Sequence, residues 1–309
     1  MTKHYRAYSV IKQKTSETNS PQNSFDLAKV EWVEVAPNKT IVATPKKTYL
    51  IAPNTDKCSS LHKFFRDRPT NLIKGASNVA TTRKLLDGVI AAAKYGVNLD
   101  IRPPALTANR WVWRLAGAYH LTHLVPCLLE KAAQGFALTD RFILAQWARE
   151  KAKEETDHDL LALQDIHALG YDAEAVVKIF VPPAAKALMD YFTRSVGDDD
   201  PINCVGYSYT MERLAMGVDE EYIQKVEVLL PSNINATRCL RVHSSVGADA
   251  EHIEETVEMI AKLTAKERDR IIRACYETAL MCFRTPSGGY INDELLRPIL
   301  NQLKLDKTL

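Results

Sequence analysis

The six cysteines of this chain (Cys58, Cys127, Cys204, Cys239, Cys275 and Cys282) include no CxxC pair. Their scatter excludes a zinc ribbon and a disulfide framework, and reads as buried thiols of a reducing compartment. Long apolar runs are also missing: no stretch approaches the roughly 18–20 residues that a membrane-spanning helix needs. The opening "MTKHYRAYSVIKQ" lacks the apolar core of a signal peptide, so a cytoplasmic location is expected. No segment repeats at a fixed period, which excludes a solenoid or propeller. Net charge is only +2, too little to attract nucleic acid or a membrane by bulk electrostatics, and neither partner is expected.

What is present is ordinary in bulk and uneven in detail. An apolar share of 46% over 309 residues suffices for a large core. Residues 1–74 carry 13 Lys and Arg against 6 Asp and Glu, whereas residues 75–309 carry 27 against 32. A basic front part and an acidic body imply two differently built regions. The polar run 12–25 reads as a flexible segment. "AKVEWVEVAPNKTIVATPKKTYLIAP" then alternates with a period of two, broken at "APNK" and "TPKK", and predicts two or three short strands. The apolar face switches between Trp32 and Val33, as a β-bulge there would allow.

Beyond residue 58 the pattern is helical, with helices expected over 59–68, 78–95, 107–133, 139–169, 183–195, 202–217, 219–230, 235–262, 265–284 and 292–303. Thr139-Asp140 and Asp219 are start signals, Thr264 with Glu267 forms a capping box, and Gly170 suits a C-terminal cap. The expected organisation is a β-containing extension over residues 1–75 and an all-α domain over 76–309. Strand edges in the extension would need covering, which makes a homodimer plausible.

One helix carries the chemistry. "AREKAKEETDHDLLALQDIHALGYD" (148–172) packs Glu154, Glu155, Asp157, His158 and Asp159 into six residues. Glu155 and His158 are three apart, on one helix face a turn apart. Asp249 and His252 form a second such pair in "HSSVGADAEHIEE", and Glu212 lies in the mostly apolar "VGYSYTMERLAMG". Carboxylates neutralise hard cations and imidazoles complete their coordination, so three such features on three helices, in a chain with 8 histidines, point to a metal site. Chance helix spacing and a salt-bridged core Glu212 are the competing reading. His120 and His123 on an apolar helix read as satisfied structural histidines. A ferritin-like carboxylate protein would give the same order if Glu130 were its first ligand.

"EETDHDLLALQDIHALGYD", "GYSYTMERL" and "VHSSVGADAEHIEETVEMIAKL", in that order, resemble the haem-oxygenase-like diiron oxidase and oxygenase family, a fold relative of thiaminase II and pyrroloquinoline-quinone synthase. The resemblance spans roughly residues 105–285. It implies an all-α, haem-oxygenase-like helical bundle without haem and two non-haem irons, with a single iron as the lesser case. It also implies O2 as co-substrate, an external electron donor, and a small amino-acid- or fatty-acid-derived substrate of a natural-product pathway. Carried over, Glu155 and His158 are ligands, with Glu154 as the rival carboxylate, followed by Glu212, Asp249 and His252. Tyr209, one turn before Glu212, would support that glutamate. One position departs: the histidine expected four before Asp249 is Ser245, and His243 stands two residues earlier. On an unbroken helix His243 would be about 120° from Asp249, so it joins the site only if the helix opens near Gly247. A metal-free enzyme of the thiaminase or quinone-synthase type and a non-catalytic helical binding protein are the alternatives.

Overall fold

Three short strands near the N-terminus pair in sequence order: β1 (Glu31–Ala36), β2 (Lys39–Ala43) and β3 (Thr48–Ile51) form an antiparallel sheet. The computed structural model describes residues 30–36, 39–44, 46–51, 72, 74–95, 97, 104–246, 249–284 and 289–305. The polar run 12–25 and the helix expected over 59–68 lie outside them. The strand register breaks between Glu34 and Ala36, two residues beyond the bulge expected at Trp32/Val33. Glu31, Trp32 and Val33 are all buried, so both faces of the strand start are covered, and alternation there gives no single inward face.

The helices are α1 (Val79–Tyr95), α2 (Ala108–Thr122), α3 (Val125–Ala137), α4 (Phe142–Glu154), α5 (His158–Ala168), α6 (Ala173–Ile179) and α7 (Pro183–Gly197). They continue with α8 (Asn203–Ala215), α9 (Glu220–Glu227), α10 (Arg238–Val242), α11 (Asp249–Lys262), α12 (Ala265–Phe283) and α13 (Asp293–Gln302). Among the described residues no helix is long and apolar enough to cross a membrane. These residues divide into two units. One holds those up to Val97 together with Val205–Tyr207 and Glu254–Leu280, and the other holds Asn98–Cys204, Ser208–Ile253 and the residues from Met281 onward.

In the first unit, α1 covers the sheet. A Cβ on Gly88 would collide with the Thr48 side chain, and the Thr48 hydroxyl donates to Lys84 O at 2.8 Å, so helix and strand approach at a glycine. Glu31, fully buried, accepts from Ser77 Oγ at 2.9 Å and from Arg268 Nη2 at 3.1 Å. Arg268 also donates to the carbonyls of Gly75 and Leu263. The buried pair thus ties β1 to the start of α12, with the Nη1 donors given to backbone oxygens. Gly206 permits another close crossing, because a Cβ there would strike Ile271 O and the Ala274 methyl.

The second unit is helical. Trp111, Leu115, Ile166, Val176, Phe180 and Leu296 belong to one apolar cluster, and Trp111 Nε1 donates to Ala236 O at 2.8 Å. Several terminal signals hold: Asp219 accepts from Tyr222 N, Thr264 and Glu267 exchange bonds, and Gly170 has φ of 84°. Thr139 does not start a helix. Its hydroxyl donates back to Gly135 O and Phe136 O at the end of α3, and Asp140 turns the chain with φ of 57°.

Three expected long helices are broken. The 139–169 span ends at Glu154 and restarts at His158, because Asp157 takes a left-handed conformation (φ 66°) that short polar side chains tolerate. The 235–262 span opens between Val242 and Asp249. The continuous 107–133 helix is likewise divided into α2 and α3, with Pro126 at the new start.

Candidate metal centre

The breaks after Glu154 and after Val242 create the site. Glu155 closes α4, His158 opens α5, and His243 follows α10, so each ligand candidate sits at a helix end. One ligand atom from each of the three lies within 4.8 Å of the other two. Glu155 Oε2 is 3.1 Å from His158 Nδ1, and the His158 and His243 rings meet edge to face at 4.7 Å. Donor atoms about 2.0–2.2 Å from a common ion lie at most about 4.4 Å apart, so small side-chain adjustments let all three reach one ion. One carboxylate and two imidazoles match the donor set of non-haem Fe(II) sites that leave coordination positions open. Burial pushes the Glu155 carboxyl up, but the His158 hydrogen bond and the charges of His243, His158 and Lys151 outweigh it, and the net shift is downward.

The turn after α10 explains how His243 arrives. Ser245 donates through both N–H and hydroxyl to Val218 O (3.0 and 2.8 Å), and Ser244 Oγ donates to Arg241 O at 2.7 Å. These bonds hold the chain off the helical path on which His243 would point away. Ser245, whose hydroxyl is engaged with a carbonyl, is not among the clustered ligand atoms.

The other predicted residues form a neighbouring cluster. Lys151, one turn before Glu155 on α4, is only 5% exposed and places its ammonium 2.8 Å from Glu154 Oε2 and 3.1 Å from Glu212 Oε1. His252 Nδ1 lies 3.4 Å from the same Glu154 oxygen. Burial alone would lower the lysine pKa. The Glu212 charge and the hydrogen bonds to both carboxylates raise it, so the side chain is a cation. Glu212 and His252 are therefore near α4 but engaged with Lys151 and Glu154, and neither is among the three clustered ligands. The side chain of Asp249 lies outside the described residues. Tyr209 is fully buried on α8, one turn before Glu212. Glu130 is exposed on α3 and is not among the three clustered ligands. His120 Nε2 lies 2.9 and 3.0 Å from Val177 O and Phe180 O, and His123 pairs with Asp159, both as structural histidines. Sequence reasoning passed over Lys151; its one signal is the spacing of four that shares a face with Glu155.

No protein-family model and no curated protein sequence matches the chain. Among solved structures it is similar to a domain of unknown function with a heme oxygenase-like fold from Shewanella denitrificans OS217. Identity there is 21% over 79% of this chain and 93% of that one, with a TM-score of 0.47. It is also similar to a TenA homologue from Pseudomonas syringae pv. tomato strain DC3000, at 13% identity over 69% of this chain and 96% of that one, with a TM-score of 0.51. The chain has the haem-oxygenase-like helical fold, preceded by a small antiparallel sheet.

Proposed function

We propose that the protein is a non-haem iron-dependent oxidoreductase that uses O2 to oxidise a small organic substrate, with Glu155, His158 and His243 holding the metal. The observation that carries this reading is the convergence of those three side chains from two separate helix breaks. Iron bound there supplies O2 activation, and a three-residue protein ligand set leaves room for O2 and substrate beside it. Glu155 contributes the neutralising charge. Its hydrogen bond with His158 orients that imidazole, as partners around metal ligands commonly do. The substrate is a small amino-acid- or fatty-acid-derived metabolite, and an external donor supplies the electrons that the substrate does not.

A metal-free enzyme like the thiaminases is the second reading, favoured by the likeness to the TenA homologue. Three of the thiols offer it no nucleophile: burial pushes Cys239 and Cys282 up to about 12 and raises Cys204 as well, which disfavours their thiolates. Metal content after anaerobic Fe(II) loading and desalting decides between them. Iron retained by the native protein and lost in both His158→Ala and His243→Ala is expected. A native protein that retains none, or variants that retain it undiminished, would refute the assignment.

A further inference from the structure

The metal reading gives no role to the buried ammonium of Lys151. Lys151 sits in the last turn of α4 with its ammonium between Glu154 and Glu212, at 2.8 and 3.1 Å. Burying an ammonium is costly unless it is paired, and here two carboxylates pair it. Glu212 is also the residue whose place in the sequence suits the second carboxylate of a two-metal centre. To serve there it must turn its oxygens to metal ions, yet Oε1 faces Lys151 Nζ. An ammonium has no lone pair to give a metal and repels one.

Charge points the same way. Glu154, Glu155 and Glu212 supply three negative charges, which Lys151 and one divalent ion together balance. A second divalent ion would set five positive charges against three. Adding the Asp249 carboxylate would still leave a positive excess. Two-metal sites work because carboxylates neutralise both ions; this chain spends Glu212 and Glu154 on its own lysine.

We propose that the centre takes a single metal ion, at Glu155, His158 and His243, and that the Lys151 ammonium stands in the position of a second cation, with Glu212 and Glu154 as its counter-ions. The proposal rests on the metal reading above and deepens it. His252, 3.4 Å from Glu154, is then a partner of that carboxylate and not a ligand.

Metal equivalents per folded chain, measured after anaerobic Fe(II) loading and separately after Co(II) loading, test this. One equivalent is expected in the native protein. One is expected in Glu212→Gln, held more weakly because Lys151 has lost a counter-charge, none in Glu155→Gln with His158→Ala, one in Lys151→Arg and two in Lys151→Met. Two equivalents in the native protein, or loss of metal in Glu212→Gln, overturn the single-metal centre while leaving the metal reading intact. No metal in the native protein overturns that reading and this inference with it. A Lys151→Met protein that folds and still stops at one overturns the stand-in role of the lysine. Should that variant fail to fold, the native and Glu212→Gln counts decide.

Discussion

Replacing Asp165 with alanine should cost about 3 kcal/mol and loosen the candidate metal centre, although Asp165 is not one of its ligand candidates. Asp165 lies fully buried on α5 and accepts from Cys239 N and from Arg238 Nη1, each at 3.0 Å. Those donors open α10, where backbone N–H groups have no partner within the helix and a carboxylate is favoured by the helix dipole. α10 is five residues long and ends where His243 begins, with His243 N donating to Cys239 O at 3.3 Å. Without the carboxylate, the buried Cys239 N–H loses its acceptor at a cost of about 1–3 kcal/mol. The void left behind adds about 1 kcal/mol. Arg238 adds little, because its side chain is 36% exposed and also reaches Asn235 O. The total lowers the folded-to-unfolded ratio on the order of 100-fold. Burial pushes the Asp165 carboxyl up, and the bonds from Cys239 and Arg238 only partly offset this; the Cys239 N–H needs an acceptor, which an amide oxygen also supplies. Asp165→Asn, which keeps an acceptor, should therefore lose less than half as much. Urea unfolding of the metal-free proteins, followed by far-UV circular dichroism, gives the stabilities, and Co(II) titration gives the site's affinity. An alanine variant within about 0.5 kcal/mol of native, or equal losses for alanine and asparagine, would refute the clamp.

Two further expectations concern charge. In the first unit, Arg268→Met should destabilise by about 3–5 kcal/mol, since it removes the guanidinium that pairs with the buried Glu31 carboxylate. The double variant Glu31→Gln, Arg268→Met should recover much of that loss in thermal denaturation, and no recovery would show that packing, not charge, holds the strand. In the metal-free protein, Glu155 has its carboxyl held below the ordinary glutamate value of about 4.3. A depressed carboxyl contributes stability that is present above that value and lost as pH falls through the folded-state value. The stability difference between native and Glu155→Gln should therefore shrink as pH falls below about 4.3; a difference that grows on acidification there would contradict the sign.

The sequence by itself determined much of this protein. Apolar periodicity and end signals such as Asp219, Thr264 with Glu267, and Gly170 placed the helices, because those effects act within one or two turns. The β-branched runs around Ile41 and Tyr49 likewise announced the strands. Spacing singled out Glu155 and His158, three residues apart; the family resemblance brought in His243, and only on condition that its helix opens. What the sequence could not decide was where helices break. Asp157 can continue a helix or enter the left-handed region, and Ser245 turns aside through two hydrogen bonds to Val218, 27 residues distant. Those choices depend on contacts between segments far apart in the chain. Lys151 is the sharpest case. In a string of alternating charges it reads as a solvated surface lysine, and only the packing of α4 beside Glu212 buries it. Local sequence thus set which side chains were available to the site. Tertiary structure decided which of them meet a metal and which neutralise one another, because burial turns a weak surface charge pair into a strong constraint.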